Sequence, residues 1–243
     1  MTYNNAGSRI FRIPPVKVLI VDDNPKLLEL LARLLEKEGY DVASARSGDD
    51  ALRKIHQIKP EIVFMDIVMP GPSGIEVCHR LKTMYPQLTV VMMSSQTRPE
   101  DIDKCMEAGA SDFIPKPFDM AEISDRIRQV TKDCLARAHP EVLQEKFTFK
   151  DLVVFPGRME AERAGSVIEL NLRDIGILRV MNAMKGKPVP ADMLKPFCWS
   201  TWAPSEEGAV EWYMEYLRKK IEPDPAAPTL IKRLQSGAYM CDG

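Results

Sequence analysis

Val16-Lys17-Val18-Leu19-Ile20-Val21-Asp22-Asp23-Asn24-Pro25 joins a short apolar run to two carboxylates and the start of a helix. A run this short, with one lysine, predicts a strand buried on both faces. Pro25 to Glu38 then carries Leu27, Leu28, Leu31, Leu34 and Leu35 at helical spacing, and Gly39 closes it. The alternation continues outward. Strands are expected over Tyr40–Ala45, Glu61–Met65, Leu88–Met93 and Asp112–Ile114, and helices over Asp49–Ile58, Gly74–Met84, Pro99–Ala108 and Asp119–Leu135. Five such units predict an α/β domain, a parallel sheet covered by helices on both faces.

The chain of 243 residues has room for two domains. Residues 1–15 read as an N-terminal extension with neither the apolar core nor the small-residue cleavage site of a signal peptide. The first domain is expected over 16–136 and a polar linker containing His139-Pro140 over 137–146. From 147 to 243 the pattern changes to α+β. Strand-like pieces at Phe147–Phe149, Leu152–Phe155 and Val167–Leu170 precede helices at Arg173–Met184, Ala191–Phe197 and Ser205–Glu222. Leu230–Leu234 and Ala238–Cys241, joined by Gln235-Ser236-Gly237, predict a β-hairpin.

Composition excludes several classes. Lys+Arg 33 against Asp+Glu 35 gives a net charge of −2, so no global basic field marks a nucleic-acid binder. The apolar runs are far shorter than a membrane span, so no membrane partner is expected. Five scattered cysteines without a C-x-x-C pair argue for reduced thiols in a cytoplasm, against a disulfide framework or a zinc site.

In an open parallel sheet, chemistry gathers beyond the carboxyl ends of the strands. Asp22 and Asp23 follow the first expected strand, Asp66 the third, Ser94 and Ser95 the fourth and Lys116 the fifth. Singly, each has an ordinary reading: Asn24 and Pro25 cap a helix, Asp66 is a loop acid, Lys116 a surface lysine. Together they place three carboxylates, a hydroxyl and an amine on one edge. Clustered carboxylates raise one another's pKa unless a cation sits among them, and oxygen ligands suit Mg²⁺. The set describes an aspartate nucleophile for phosphoryl transfer.

Val18-Leu-Ile-Val-Asp22-Asp23, Val63-Phe-Met-Asp66-Ile-Val-Met-Pro70-Gly-Pro-Ser-Gly74, Val91-Met-Met-Ser94-Ser95 and Lys116-Pro117-Phe118 resemble the receiver domain of bacterial two-component response regulators. The resemblance implies a doubly wound five-stranded sheet in the order 2-1-3-4-5. It implies Asp66 as phospho-acceptor, and Mg²⁺ held by Asp22, Asp23, Asp66 and the Val68 main-chain oxygen. Ser94 and Lys116 would bind the phosphoryl group, and Pro117 would follow a cis peptide bond. Phe113 holds the position of the switch aromatic, expected to turn inward when Ser94 and Lys116 move toward the phosphoryl group. A sensor histidine kinase is the implied phosphodonor. Such a protein dephosphorylates itself but is not a turnover enzyme. Val68 and Gln96, two residues beyond Asp66 and Ser94, are not carboxylates able to activate water, so slow autodephosphorylation is expected. A free-standing phosphohydrolase fits the chain order less well.

Residues 147–243 resemble the winged-helix effector of the OmpR/PhoB transcription factors, through Ile168-Glu-Leu-Asn171-Leu-Arg-Asp174-Ile-Gly-Ile-Leu178, Leu217-Arg218-Lys219-Lys220-Ile221-Glu222 and Gly237-Ala-Tyr239. That implies DNA binding and regulation of transcription. The residues of the recognition helix point the other way. From Glu206 to Tyr216 there are four acids and no base, and Gln235-Ser-Gly-Ala-Tyr239 replaces the usual Arg-Gly-x-Gly-Tyr wing. Lys146–Gly243 carries 14 Lys and Arg against 13 Asp and Glu. The candidate phosphate contacts are Arg218, Lys219, Lys232 and Arg233. Trp212, Tyr213 and Tyr216, with Trp199 and Trp202 before them, are either core or a face for a protein partner, RNA polymerase among the candidates. Asp112, Glu122 and Arg126 sit at positions of the phosphorylation-dependent dimer face, although the usual partner of Glu122 is replaced by Ile102 and that of Arg128 by Ser111.

Overall fold

The structure, a computed structural model, describes residues 16–95, 98–138, 146–198 and 208–241. It divides into two compact units, Val16–Ala138 and His139–Gly243.

In the first unit the strands are β1 (Lys17–Val21), β2 (Asp41–Ala45), β3 (Ile62–Asp66), β4 (Thr89–Ser94) and β5 (Asp112–Pro115). They form one parallel sheet in the order 2-1-3-4-5. The helices are α1 (Pro25–Glu38), α2 (Gly48–Ile58), α3 (Gly74–Met84), α4 (Pro99–Glu107) and α5 (Met120–Ala138). Every residue of β3 and β4 is buried, as expected of a sheet covered on both faces. Leu19, Val63, Met65, Val90 and Met92 share one core with Val77, Cys78 and Leu81 of α3.

Local chemistry sets the helix ends. Asn24 Oδ1 accepts from the Lys26 and Leu27 amides at the start of α1, and Gly39 (φ 101°) closes it in the left-handed region. Ser73 and Glu76 form a capping box on α3.

Helix α5 ends at Ala138, two residues into the stretch expected to be linker, while residues 139–145 lie outside the described residues. Thr131, Cys134 and Leu135 continue the buried stripe of Ile127 and Val130, and the Tyr40 hydroxyl lies 2.6 Å from Thr131 Oγ1. The helix, expected to end at Leu135, is extended in the structure by three residues, Ala136 to Ala138.

The second unit opens with an antiparallel sheet of β6 (Phe147–Phe149), β7 (Leu152–Phe155), β8 (Glu160–Arg163) and β9 (Ser166–Glu169), in chain order. Strand β8 has no apolar alternation. In Glu160-Ala161-Glu162-Arg163 only Ala161 is buried, so pairing between β7 and β9 makes it a strand. Then come α6 (Leu172–Ala183), α7 (Ala191–Cys198), α8 (Ala209–Ile221) and the hairpin β10 (Ile231–Arg233) and β11 (Tyr239–Cys241). This is a winged-helix arrangement. All five cysteines are buried and free, and burial pushes the Cys78 thiol up to about 11 and Cys198 up to about 12.

Candidate functional site

The acidic pocket is built at the carboxyl ends of β1, β3 and β5. Asp22 and Asp66 are buried and Asp23 is exposed, and the three offer carboxylate oxygens within 4.8 Å of one another. Lys116 reaches over from the end of β5. Its Nζ donates to Asp22 Oδ2 at 2.6 Å and lies 3.0 Å from Asp66 Oδ1. Asp22 Oδ1 also accepts from the Asn24 amide at 2.8 Å, which ties the pocket to the cap of α1. Burial raises the Asp66 carboxyl above its ordinary value, and the Asp22 charge adds to this, while Lys116 opposes it. Three carboxylates and one ammonium leave a deficit of positive charge within a shell of hard oxygen donors. That donor set fits a divalent cation such as Mg²⁺.

Ser94 is fully buried at the end of β4, and its carbonyl accepts from the Lys116 amide at 2.7 Å. The Lys116–Pro117 bond is cis. Val68 lies in the connection after β3 with its side chain exposed. Gln96 falls outside the described residues.

One positioning residue is not evident from chemistry-bearing side chains. The first residue of α3, Gly74, donates its amide to the Ile67 carbonyl at 2.9 Å, and a Cβ there would run into the Asp66 carbonyl oxygen. The backbone cannot yield without moving the candidate phospho-acceptor. Gly74→Ala is therefore expected to cost the first domain about 2–3 kcal/mol. Urea unfolding followed by circular dichroism tests this; an unchanged midpoint would show that the loop relaxes freely.

Phe113 differs from expectation. The ring is already inside, 9 % exposed, in the core that contains Cys105, Ala108 and Met92. Burial of its apolar surface holds it there without any added charge in the pocket. Two of the dimer-face residues lie together. Arg126 Nε lies 3.0 Å from Asp112 Oδ2 of the same chain, because β5 and α5 bring them side by side. The Glu122 side chain lies outside the described residues.

In the second unit, α8 meets α6 through a buried polar cluster. Asn171 and Asp174 form a capping box at the start of α6, and Asp174 is fully buried. The Tyr213 hydroxyl lies 3.0 Å from Asn171 Oδ1 and 2.9 Å from Asp174 Oδ1, and Lys220 Nζ donates to Asp174 Oδ2 at 2.8 Å. Burial alone would lower the Lys220 pKa, but the Asp174 carboxylate outweighs it and the value is raised. The aromatic cluster thus divides. Tyr213 is core, while Trp212 is 39 % exposed and stacks on Tyr216 with centroids 6.0 Å apart. Trp199, Trp202 and Ser205–Glu207 lie outside the described residues.

Among the candidate phosphate contacts, Arg218 and Arg233 are engaged inside the domain. Arg218 Nε donates to the Ile231 carbonyl at 3.0 Å, with its guanidinium over the Tyr239 ring, and Arg233 of the hairpin pairs with Glu211 of α8. Lys219 and Lys232 are exposed. The Arg233–Glu211 contact has no local sequence signal, since it joins a helix to a hairpin 22 residues away.

Comparisons with known proteins agree with this geometry. A family model described as the response regulator receiver domain matches residues 18–128. A second, described as the C-terminal domain of transcriptional regulatory proteins, matches residues 165–241. Among solved structures, the chain is similar to response regulator DrrB, a Thermotoga maritima OmpR/PhoB homolog. That match has 26% identity over 94% of this chain and 100% of that one, with a TM-score of 0.44. A CheY-like receiver domain protein from Methanospirillum hungatei JF-1 is 25% identical over 51% of this chain and 98% of its own, with a TM-score of 0.49. A putative response regulator from Chloroflexus aurantiacus J-10-fl is 32% identical over 48% of this chain and 97% of its own, with a TM-score of 0.45. With a receiver domain followed by a transcriptional-regulatory effector domain, and the two family models covering most of its length, the chain belongs to the two-component response regulators of the OmpR/PhoB type.

Proposed function

We propose that Asp66 accepts a phosphoryl group from a sensor histidine kinase and that this modification controls binding of the winged-helix domain to DNA. The observation that carries the first half is the meeting of Asp22, Asp23 and Asp66 within 4.8 Å, bridged by Lys116. The three carboxylates, helped by the Val68 carbonyl, would hold Mg²⁺. When bound, that ion supplies positive charge to the transferring phosphoryl oxygens. An Asp66 carboxylate oxygen attacks phosphorus as the donor's phosphorus–nitrogen bond breaks, leaving an acyl phosphate and a free imidazole. Lys116 turns from the carboxylates toward a phosphoryl oxygen, and Ser94 donates to another. Because Phe113 is already inward, Lys116 and Ser94 are the parts that respond. The phosphoryl group stays on the protein, so the chain is a stoichiometric acceptor and not a turnover enzyme.

The effector family supports the second half. The test is binding of the full chain to mixed genomic fragments, with and without beryllofluoride plus Mg²⁺, at low and moderate salt. Binding that strengthens on activation and falls steeply with salt is the expected result. A second reading, a protein partner in place of DNA, is favoured by the exposed Trp212–Tyr216 stack beside Glu211 and Glu215. Failure to bind DNA in either state, with the receiver still responsive, would establish it.

The internal pairing of Arg233 gives a sharper expectation. Both partners are about half exposed, so their mutual attraction is worth only ~0–1 kcal/mol, yet it holds the guanidinium against an acid. Glu211→Gln releases one cation and removes one like charge from the DNA-facing surface. We expect roughly threefold to tenfold tighter binding and a salt dependence steeper by about 0.9 in log–log slope. Fluorescence anisotropy across a salt series measures both, and an unchanged slope would mean that Arg233 does not approach phosphate.

A further inference from the structure

On the edge of the first domain opposite Asp66, at the amino ends of β3 and β4, lies a cavity of about 690 Å³. Pockets of about 300–1,000 Å³ hold small molecules. Its apolar surface comes from the end of α2 (Ile55), the end of α3 (Met84) and the connections into the strands (Pro60, Leu88). Met84 is 46% exposed; with Leu30 and Met106 it is one of several large apolar side chains of this domain open to solvent, and the one among them that lines this cavity. One wall is fixed by the Tyr85 hydroxyl, 2.6 Å from His56 Nδ1, so the cavity does not depend on a free rotamer there.

The charge around this cavity is positive. Lys59 and Arg137 line it, against one lining acid, Glu61, whose Oε2 already accepts the Lys17 amide at 2.7 Å. Arg137 is oriented by donating from Nη2 to Thr89 Oγ1 at 2.7 Å, and a guanidinium has further donors in a fixed fork suited to a carboxylate. An apolar hollow with two cations at its border calls for a ligand that is apolar over most of its length and carries one negative charge.

We propose that this cavity binds a small amphipathic carboxylate, its acyl or aryl body against Met84, Tyr85 and Leu88 and its anionic group on Lys59 and Arg137. The proposal does not depend on phosphorylation of Asp66, which lies at the other end of β3.

The probe is decanoate, added to the full chain carrying ¹³C-methyl methionine, with the Met84 methyl resonance as reporter and decanol as the uncharged control. We expect a saturable Met84 shift with decanoate and at least about tenfold weaker binding of decanol, the loss of one charge-assisted contact. Lys59→Asn together with Arg137→Gln should bring decanoate down to the decanol level. Met84→Glu, at an exposed position that leaves the fold intact, should abolish binding of both. Absence of a shift in the full chain overturns the proposal, the cavity then being covered by another part of the chain or serving no ligand. Equal binding of decanoate and decanol, or decanoate binding unaffected by Met84→Glu, overturns it too. Sedimentation with phosphatidylglycerol vesicles separates the sources of an anionic amphiphile: the soluble carboxylate is the expected ligand, and Met84-dependent vesicle binding would overturn it in favour of a membrane.

Discussion

The Asp66→Asn variant will take up no phosphoryl group from acetyl phosphate and Mg²⁺, where the unsubstituted chain takes up close to one equivalent. An amide has no anionic oxygen to attack phosphorus, and neither neighbour replaces it. Asp22 is held by Lys116 and the Asn24 amide, and Asp23 is exposed at the start of the β1–α1 connection. The substitution keeps the shape of the side chain and removes one of three mutually repelling carboxylates, so the fold should be no less stable. Phosphate-affinity electrophoresis gives the yield, and thermal unfolding gives the control. Any beryllofluoride-dependent gain in DNA binding should vanish with it. Phosphoryl uptake by a folded Asp66→Asn protein would place the acceptor at another carboxylate and sink the assignment.

The second large effect is structural. Asp174→Ala should destabilise the winged-helix domain by about 3–5 kcal/mol, the range for removing one partner of a buried ion pair. The carboxylate serves the Asn171 amide at 2.9 Å, the Tyr213 hydroxyl at 2.9 Å and Lys220 Nζ at 2.8 Å. Its loss takes an acceptor from each of the three and leaves the Tyr213 hydroxyl with Asn171 Oδ1 at 3.0 Å. Lys220→Met is expected to cost less, since the carboxylate keeps its other donors, and the double variant should recover part of the loss of Asp174→Ala. Trp199, Trp202 and Trp212 all belong to the second domain, so tryptophan fluorescence during denaturation reports this transition apart from the first domain. A shift below about 1 kcal/mol would mean that the cluster is solvated and that Tyr213 and Lys220 find other partners.

The first domain was largely legible because its order is written locally. Strands β1, β3 and β4 are nearly continuous apolar runs, α1, α2 and α3 have side-chain caps, and the polar residues that directly follow four strands converge once the sheet order is known. The second domain was less so. Strand β8 exists through its two neighbours, not through its own residues. The engagement of Arg218 and Arg233 depends on a hairpin folding back on a helix, a contact with no periodicity to announce it. Counting charges showed that the stretch from Glu206 to Tyr216 is acidic, but not that one of those acids occupies an arginine of the wing. Phe113 could be located by resemblance, whereas its inward placement is a matter of packing that no motif encodes.

Glu222, just past the end of α8, has a consequence for how the output domain meets any partner. Its carboxylate accepts the amides of Thr229, Leu230 and Ile231, so the C-terminal cap of the helix and the first strand of the hairpin are bolted together. Helix and wing therefore form one rigid jaw. A partner closing on it has little chain entropy to remove, and the heat capacity of association should follow the apolar area covered, without the larger negative value that accompanies ordering of a segment.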